Sequence, residues 1–175
     1  PMRGSDRSGS ALRGPRAGCS IPAVNYEMYM SAALAEAAAA VAAGEQPDGA
    51  VAVVDEAMVA HGRPVMRLTG DPTAHAVMHA IRETARRLGR PSLAGVTLFC
   101  VMEPCIMCLG ALLEADADGV VYALADPLHG ACGSVLQLAD RGNGPGRLRV
   151  VSGILAQEAA DLRASAAMSP GQGRI

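Results

Sequence analysis

Residues 96–114 read Val-Thr-Leu-Phe-Cys-Val-Met-Glu-Pro-Cys-Ile-Met-Cys-Leu-Gly-Ala-Leu-Leu-Glu. Val96–Val101 is a nearly continuous apolar run, the pattern of a strand buried on both faces. Pro104 suits the first turn of a helix, so a helix is predicted from there to about Glu114. A buried strand passing directly into a helix is half of a βαβ unit and points to a layered α/β domain.

The flanking sequence repeats the alternation. Asn25–Ala43 is an alanine-rich helix stopped by Gly44 and Pro47. Gly49–Val54 and Ala57–Ala60 read as strands joined at Asp55-Glu56, and 61–71 as a loop. Asp71-Pro72-Thr73 starts a helix, with Pro72 inside its first turn, that runs to Leu88. Gly119–Leu124 is a further buried strand. The loop 125–133 leads to a short helix near Ser134–Leu138. Leu148–Val151 reads as a last strand and Ile154 to about Ala166 as a last helix. The expectation is a three-layer α/β/α domain over residues 21–167.

The ends differ in composition. Residues 1–20 are rich in Gly, Ser and Arg, including Arg3, Arg7, Arg13 and Arg16, and read as a disordered extension. A basic arm that touches an anionic partner is the sharper alternative. Pro1 ahead of Met2 reads as a residue added before the natural start, and 168–175 as a loose tail.

Composition excludes several classes of function. The 175 residues are 50% hydrophobic, too apolar for a generally disordered chain. Aromatics make up 2%, so stacked rings for single-stranded bases are not available. The net charge is −2, against a broadly basic nucleic-acid face. All 15 Lys/Arg positions are arginine, which excludes a lysine Schiff base and a phosphate-loop lysine. No apolar run reaches the ~18 residues of a membrane span, and a cytoplasmic location is expected. Five cysteines, an odd number, argue for metal rather than disulfides.

His75, Cys105 and Cys108 carry the chemistry. Cys105 and Cys108 form a C-x-x-C pair at a helix start, where thiolates are stabilised, and thiolates bind Zn²⁺. One His and two Cys leave a fourth position for water, as in catalytic zinc sites. Taken alone, the pair reads equally as a redox motif and His75 as a core histidine.

The segments Asp71-Pro72-Thr73-Ala74-His75-Ala76 and Glu103-Pro104-Cys105-Ile106-Met107-Cys108 resemble the cytidine/adenosine deaminase superfamily. The closest pattern is that of bacterial tRNA adenosine deaminases and of guanine and nucleoside deaminases. Pro47-Asp48-Gly49-Ala50, Gly130-Ala131-Cys132-Gly133-Ser134 and Gly153-Ile154-Leu155-Ala156-Gln157-Glu158 extend the resemblance over about residues 25–163. It implies a cytidine-deaminase-like fold with a five-stranded mixed sheet, and zinc on His75, Cys105 and Cys108. It also implies hydrolytic deamination, in which a zinc-activated water attacks an amidine-like carbon and ammonia leaves.

The chain departs from the family at the proton shuttle. The family reads His-Ala-Glu; here the segment is His75-Ala76-Val77. Valine transfers no proton, and general acid–base assistance is worth ~10²–10⁴-fold. His79, one turn further along, and His129 are the candidate substitutes. A second departure is Pro64, at or near a position where relatives often hold the substrate with Asn. Ala76 and Glu103 complete the candidate substrate-binding set, Glu103 also matching a position that looks structural in the family.

Three explanations compete for Val77: altered zinc-assisted chemistry, an inactive homologue serving as a binding or partner subunit, or an inactivated mutant of an ordinary deaminase. The inactive subunit of eukaryotic tRNA adenosine deaminase also has Val there. After Gly153 the chain offers only Arg163 and Arg174 for phosphates, which favours a small nucleobase-like or heterocyclic substrate over tRNA. A homodimer is expected through the helix bearing Ile106, Met107, Leu109, Leu112 and Leu113.

Overall fold

The computed structural model describes residues 23–141 and 148–168. The expected extension 1–20, Cys19 and the tail from 169 lie outside the described residues. Helix α1 spans Ala23–Ala42 and is followed by strands β1 (Ala50–Val54) and β2 (Ala57–Gly62). Next come α2 (Met66–Thr69), α3 (Ala76–Leu88), β3 (Thr97–Met102), α4 (Ile106–Glu114) and β4 (Gly119–Leu124). A 3-10 turn at Ala139–Arg141, β5 (Arg149–Ser152) and α5 (Ala156–Ala167) complete the order.

The five strands form one sheet in the order β2-β1-β3-β4-β5. β1 is antiparallel to β2 and β3, whereas β3, β4 and β5 are parallel, so the sheet is mixed as expected. Period-two alternation assigns the two faces. Ala50, Ala52, Leu98, Cys100, Val120 and Tyr122 pack with α3 and α4. Val51, Val53, Phe99, Val101 and Val121 pack with α1 and α5. Tyr29 and Phe99 meet with ring centroids 5.1 Å apart. The result is a three-layer α/β/α domain.

Three local expectations need correction. The 61–71 segment is not all loop: β2 continues to Gly62, and α2 forms at Met66–Thr69. Glu45, 2% exposed, accepts from the Leu68 amide at 2.9 Å and the Arg67 amide at 3.2 Å, which satisfies first-turn donors from outside the helix. Helix α3 begins at Ala76, not at Asp71-Pro72. Asp71 Oδ1 accepts from both the Thr73 amide (2.8 Å) and hydroxyl (2.7 Å), closing a local turn that competes with helix. No helix forms at Ser134–Leu138. The amides of Cys132 and Ser134 are taken by the Glu103 carboxylate, and Cys132 forms a bridge with Gln137.

Candidate metal centre

Two helix starts build the centre. His75 is the N-cap of α3 (φ −72°, ψ 155°) and Cys105 the N-cap of α4 (φ −71°, ψ 172°), both extended. Neither side chain caps its own helix, so both are free to point at each other. Cys108 follows on the first turn of α4 and is 2% exposed.

His75 Nδ1 stands 3.7 Å from Cys105 Sγ and 3.6 Å from Cys108 Sγ. All three donor atoms lie within 4.8 Å of one another, and they form the one such His/Cys/Asp/Glu group among the described residues. Zn–S bonds of about 2.3 Å and a Zn–N bond of about 2.0–2.1 Å, at the tetrahedral angle, hold N and S about 3.6 Å apart. The spacing and the donor set therefore fit zinc. Three protein donors leave one tetrahedral position open.

The charges fit a thiolate site. The Cys105 thiol is pulled down to about 4, first by the hydrogen bond from Cys108 and then by His75. The His75 imidazole is raised, chiefly by its bond to Cys105. The Cys108 thiol is pushed up by donating to Cys105 and by burial. A helix N-terminus favours the same thiolate form.

The surroundings are held from both sides. Glu103, 2% exposed, accepts from Asp126 N (3.0 Å), Cys132 N (2.8 Å) and Ser134 N (3.2 Å), and from the Ser134 hydroxyl. Its carboxylate thus fastens the 126–134 loop to the end of β3. The loop reaches the metal centre through a bridge between Gly130 and Cys105.

Of the candidate site residues, the structure brings together only His75, Cys105 and Cys108 as donors. Val77 is 3% exposed in the α3–α4 core. Ala76 is fully buried and Pro64 is buried, and neither has a polar side-chain atom. His79 follows His75 by one turn, its amide bonded to the His75 carbonyl at 3.1 Å. His129 is 70% exposed, with Nδ1 3.4 Å from Asp126 Oδ2.

One carboxylate at this end of the sheet is Asp48, which the sequence analysis quotes within the Pro47-Asp48-Gly49-Ala50 stretch of the resemblance but gives no role of its own. Asp48 Oδ1 accepts from Gly49 N at 2.9 Å and from Met102 N at 3.2 Å. Desolvation raises its pKa to about 6, against the opposing effects of the two amides, Arg163 and His75. The available signal is an acidic residue directly ahead of an otherwise apolar strand.

Comparison with known proteins agrees with the geometry. The sequence profile of the cytidine and deoxycytidylate deaminase zinc-binding region matches residues 23–124, more than half of the chain. A tRNA(Ile)-lysidine synthase of Deinococcus radiodurans is 43% identical over 151 residues, 85% of this chain. The chain spans about a quarter (26%) of that protein's length. A solved structure from a study of A-to-I editing by tRNA:A34 deaminases is 33% identical with a TM-score of 0.73, covering 77% of this chain and 98% of its own. The structure of guanine deaminase from Bacillus subtilis is 40% identical with a TM-score of 0.56, covering 58% of this chain and 65% of its own. Matched motifs, sheet order and donor spacing lead to one assignment: the chain belongs to the cytidine/deoxycytidylate deaminase family.

Proposed function

We propose that this domain binds one zinc ion on His75, Cys105 and Cys108 and uses the open coordination position to act on a small nucleobase-like heterocycle, by chemistry altered from that of its relatives. The observation that carries this reading is the pair of 3.6–3.7 Å Nδ1–Sγ separations beside a buried Val77. Zinc bound there supplies a Lewis acid that acidifies a water. Val77 brings no group that accepts or donates a proton, and Ala76 and Pro64 add none. The guanine deaminase likeness supports the ligand class.

A second reading rests on the lysidine synthase likeness: a non-catalytic domain that serves a tRNA-modifying protein. Homodimerisation through α4 belongs to the proposal. Ile106 stays 57% exposed at its start, while Leu109 and Leu112 turn into the chain's own core. So does a reducing, cytoplasmic location, with Cys100, Cys105, Cys108 and Cys132 all free. Among the described residues, no helix is long and apolar enough to cross a membrane.

The test is ammonia release from adenine, guanine, cytosine and their nucleosides, for the wild type and Val77→Glu. The proposal expects negligible wild-type turnover of these standard substrates, because the proton shuttle is missing. Large gains in Val77→Glu identify an ordinary deaminase that has lost its shuttle. Ordinary wild-type rates refute the proposal and pass the proton to His79 or His129.

A further inference from the structure

Asp48 and Gly49 lie just ahead of β1, and the Val101 N–H bond to Gly49 O (3.0 Å) carries the β1–β3 register past the strand start to them. A Cβ on Gly49 would lie 2.2 Å from Ala33 O and 2.5 Å from Ala37 N, so position 49 faces α1. Position 48 therefore faces the opposite side, with Ala50, Ala52 and Cys100, where α3 and α4 pack. That is the side of the metal centre. The carboxylate is pinned to Met102 N, three residues before Cys105, and its charge is felt at His75, Cys100 and Cys108.

Both hydrogen bonds use Oδ1. No described residue bonds Oδ2, and no fully buried side-chain oxygen or nitrogen among the described residues lacks a partner. Oδ2 is thus a reachable acceptor on a partly buried residue. The other acid beside this centre, Glu103, has its oxygens committed to loop donors.

We propose that Asp48 is a ligand-binding carboxylate beside the metal centre, lining the pocket that a bound aminopurine-like heterocycle occupies, with its Oδ2 accepting a hydrogen bond from an N–H donor of that ring. The inference rests on the nucleobase-like ligand proposed above. It assigns to Asp48 a specificity role: the pocket selects rings that carry an amino group or ring N–H on the edge facing β1. An acceptor left without its donor in such a pocket loses its solvation for nothing, which disfavours rings lacking that donor.

Calorimetric binding of purine and of 2,6-diaminopurine to the zinc-loaded protein tests it. The key variant is Asp48→Asn. Its side-chain oxygen still accepts from Gly49 and Met102, while an amide NH2 replaces Oδ2. The wild type is expected to bind 2,6-diaminopurine at least ~10-fold more tightly than purine, and Asp48→Asn to lose that preference, because its NH2 no longer accepts from the ring's amino group. A preference that survives in Asp48→Asn overturns the proposal, because a merely structural Asp48 predicts that result. Equal wild-type affinity for the two probes overturns it without any variant. Binding of neither probe refutes the nucleobase-like reading itself.

Discussion

Gly62 lies against the first turn of α3 so closely that a Cβ there would stand 2.2 Å from Ala76 O and 2.7 Å from Ala80 N. The end of β2 thereby fixes the position of the helix whose N-cap is His75. Gly62→Ala must push α3 outward, and overpacking of this kind costs about 1–3 kcal/mol. A lower melting temperature together with weaker zinc retention is the expected pair of results. Lost stability with unchanged zinc retention would separate α3 placement from the metal centre.

Purified protein not exposed to chelator is expected to hold close to one zinc per chain by elemental analysis. Cys108→Ser should lower both zinc content and melting temperature, because metal-binding energy is also folding energy. Cys100→Ser and Cys132→Ser should leave zinc content unchanged, since neither sulfur belongs to the donor group. Cys100, buried beneath the centre with its thiol pushed up by desolvation, is the stricter control.

Glu103→Gln keeps one carbonyl oxygen but points NH2 at other donors. The expected destabilisation is about 2–3 kcal/mol by denaturant unfolding, from lost charge-assisted bonds. Hydrogen exchange at the Cys132 and Ser134 amides should accelerate most, because Glu103 is their acceptor. Uniform acceleration across the domain would contradict a role confined to the 126–134 loop.

Asp48 gives a pH dependence of known sign. Its folded pKa, about 6, lies above the ordinary aspartate value of 3.8, so the folded state binds its proton more tightly. This contribution to stability is present below about pH 4, is lost as pH rises to about 6, and is flat above that. The total is of order 2–3 kcal/mol. In metal-free protein, the wild type should therefore lose stability relative to Asp48→Asn between pH 4 and pH 7. A wild-type minus variant difference that does not change with pH would show an unshifted carboxyl.

The sequence by itself determined the layered fold, and its resemblance to a known family singled out the candidate donors His75, Cys105 and Cys108. Continuous apolar runs such as Val96–Val101 admit burial on both faces, and the C-x-x-C pair falls where a strand must become a helix. Helix starts were less legible. Asp71 was a plausible opening for α3, yet its side chain closes a turn on Thr73, and the helix begins only past His75. The same displacement makes His75 an N-cap whose ring is free for the sulfurs. Only the tertiary structure decided that Glu103 is a loop fastener, because its four donors come from 23 to 31 residues away. It alone placed Asp48 beside the centre, through a bond to Met102 across 54 residues of chain. Local pattern fixes which residues are buried and where strands and helices alternate, whereas the partners of a buried carboxylate are set by sheet order and register, which bring distant segments together.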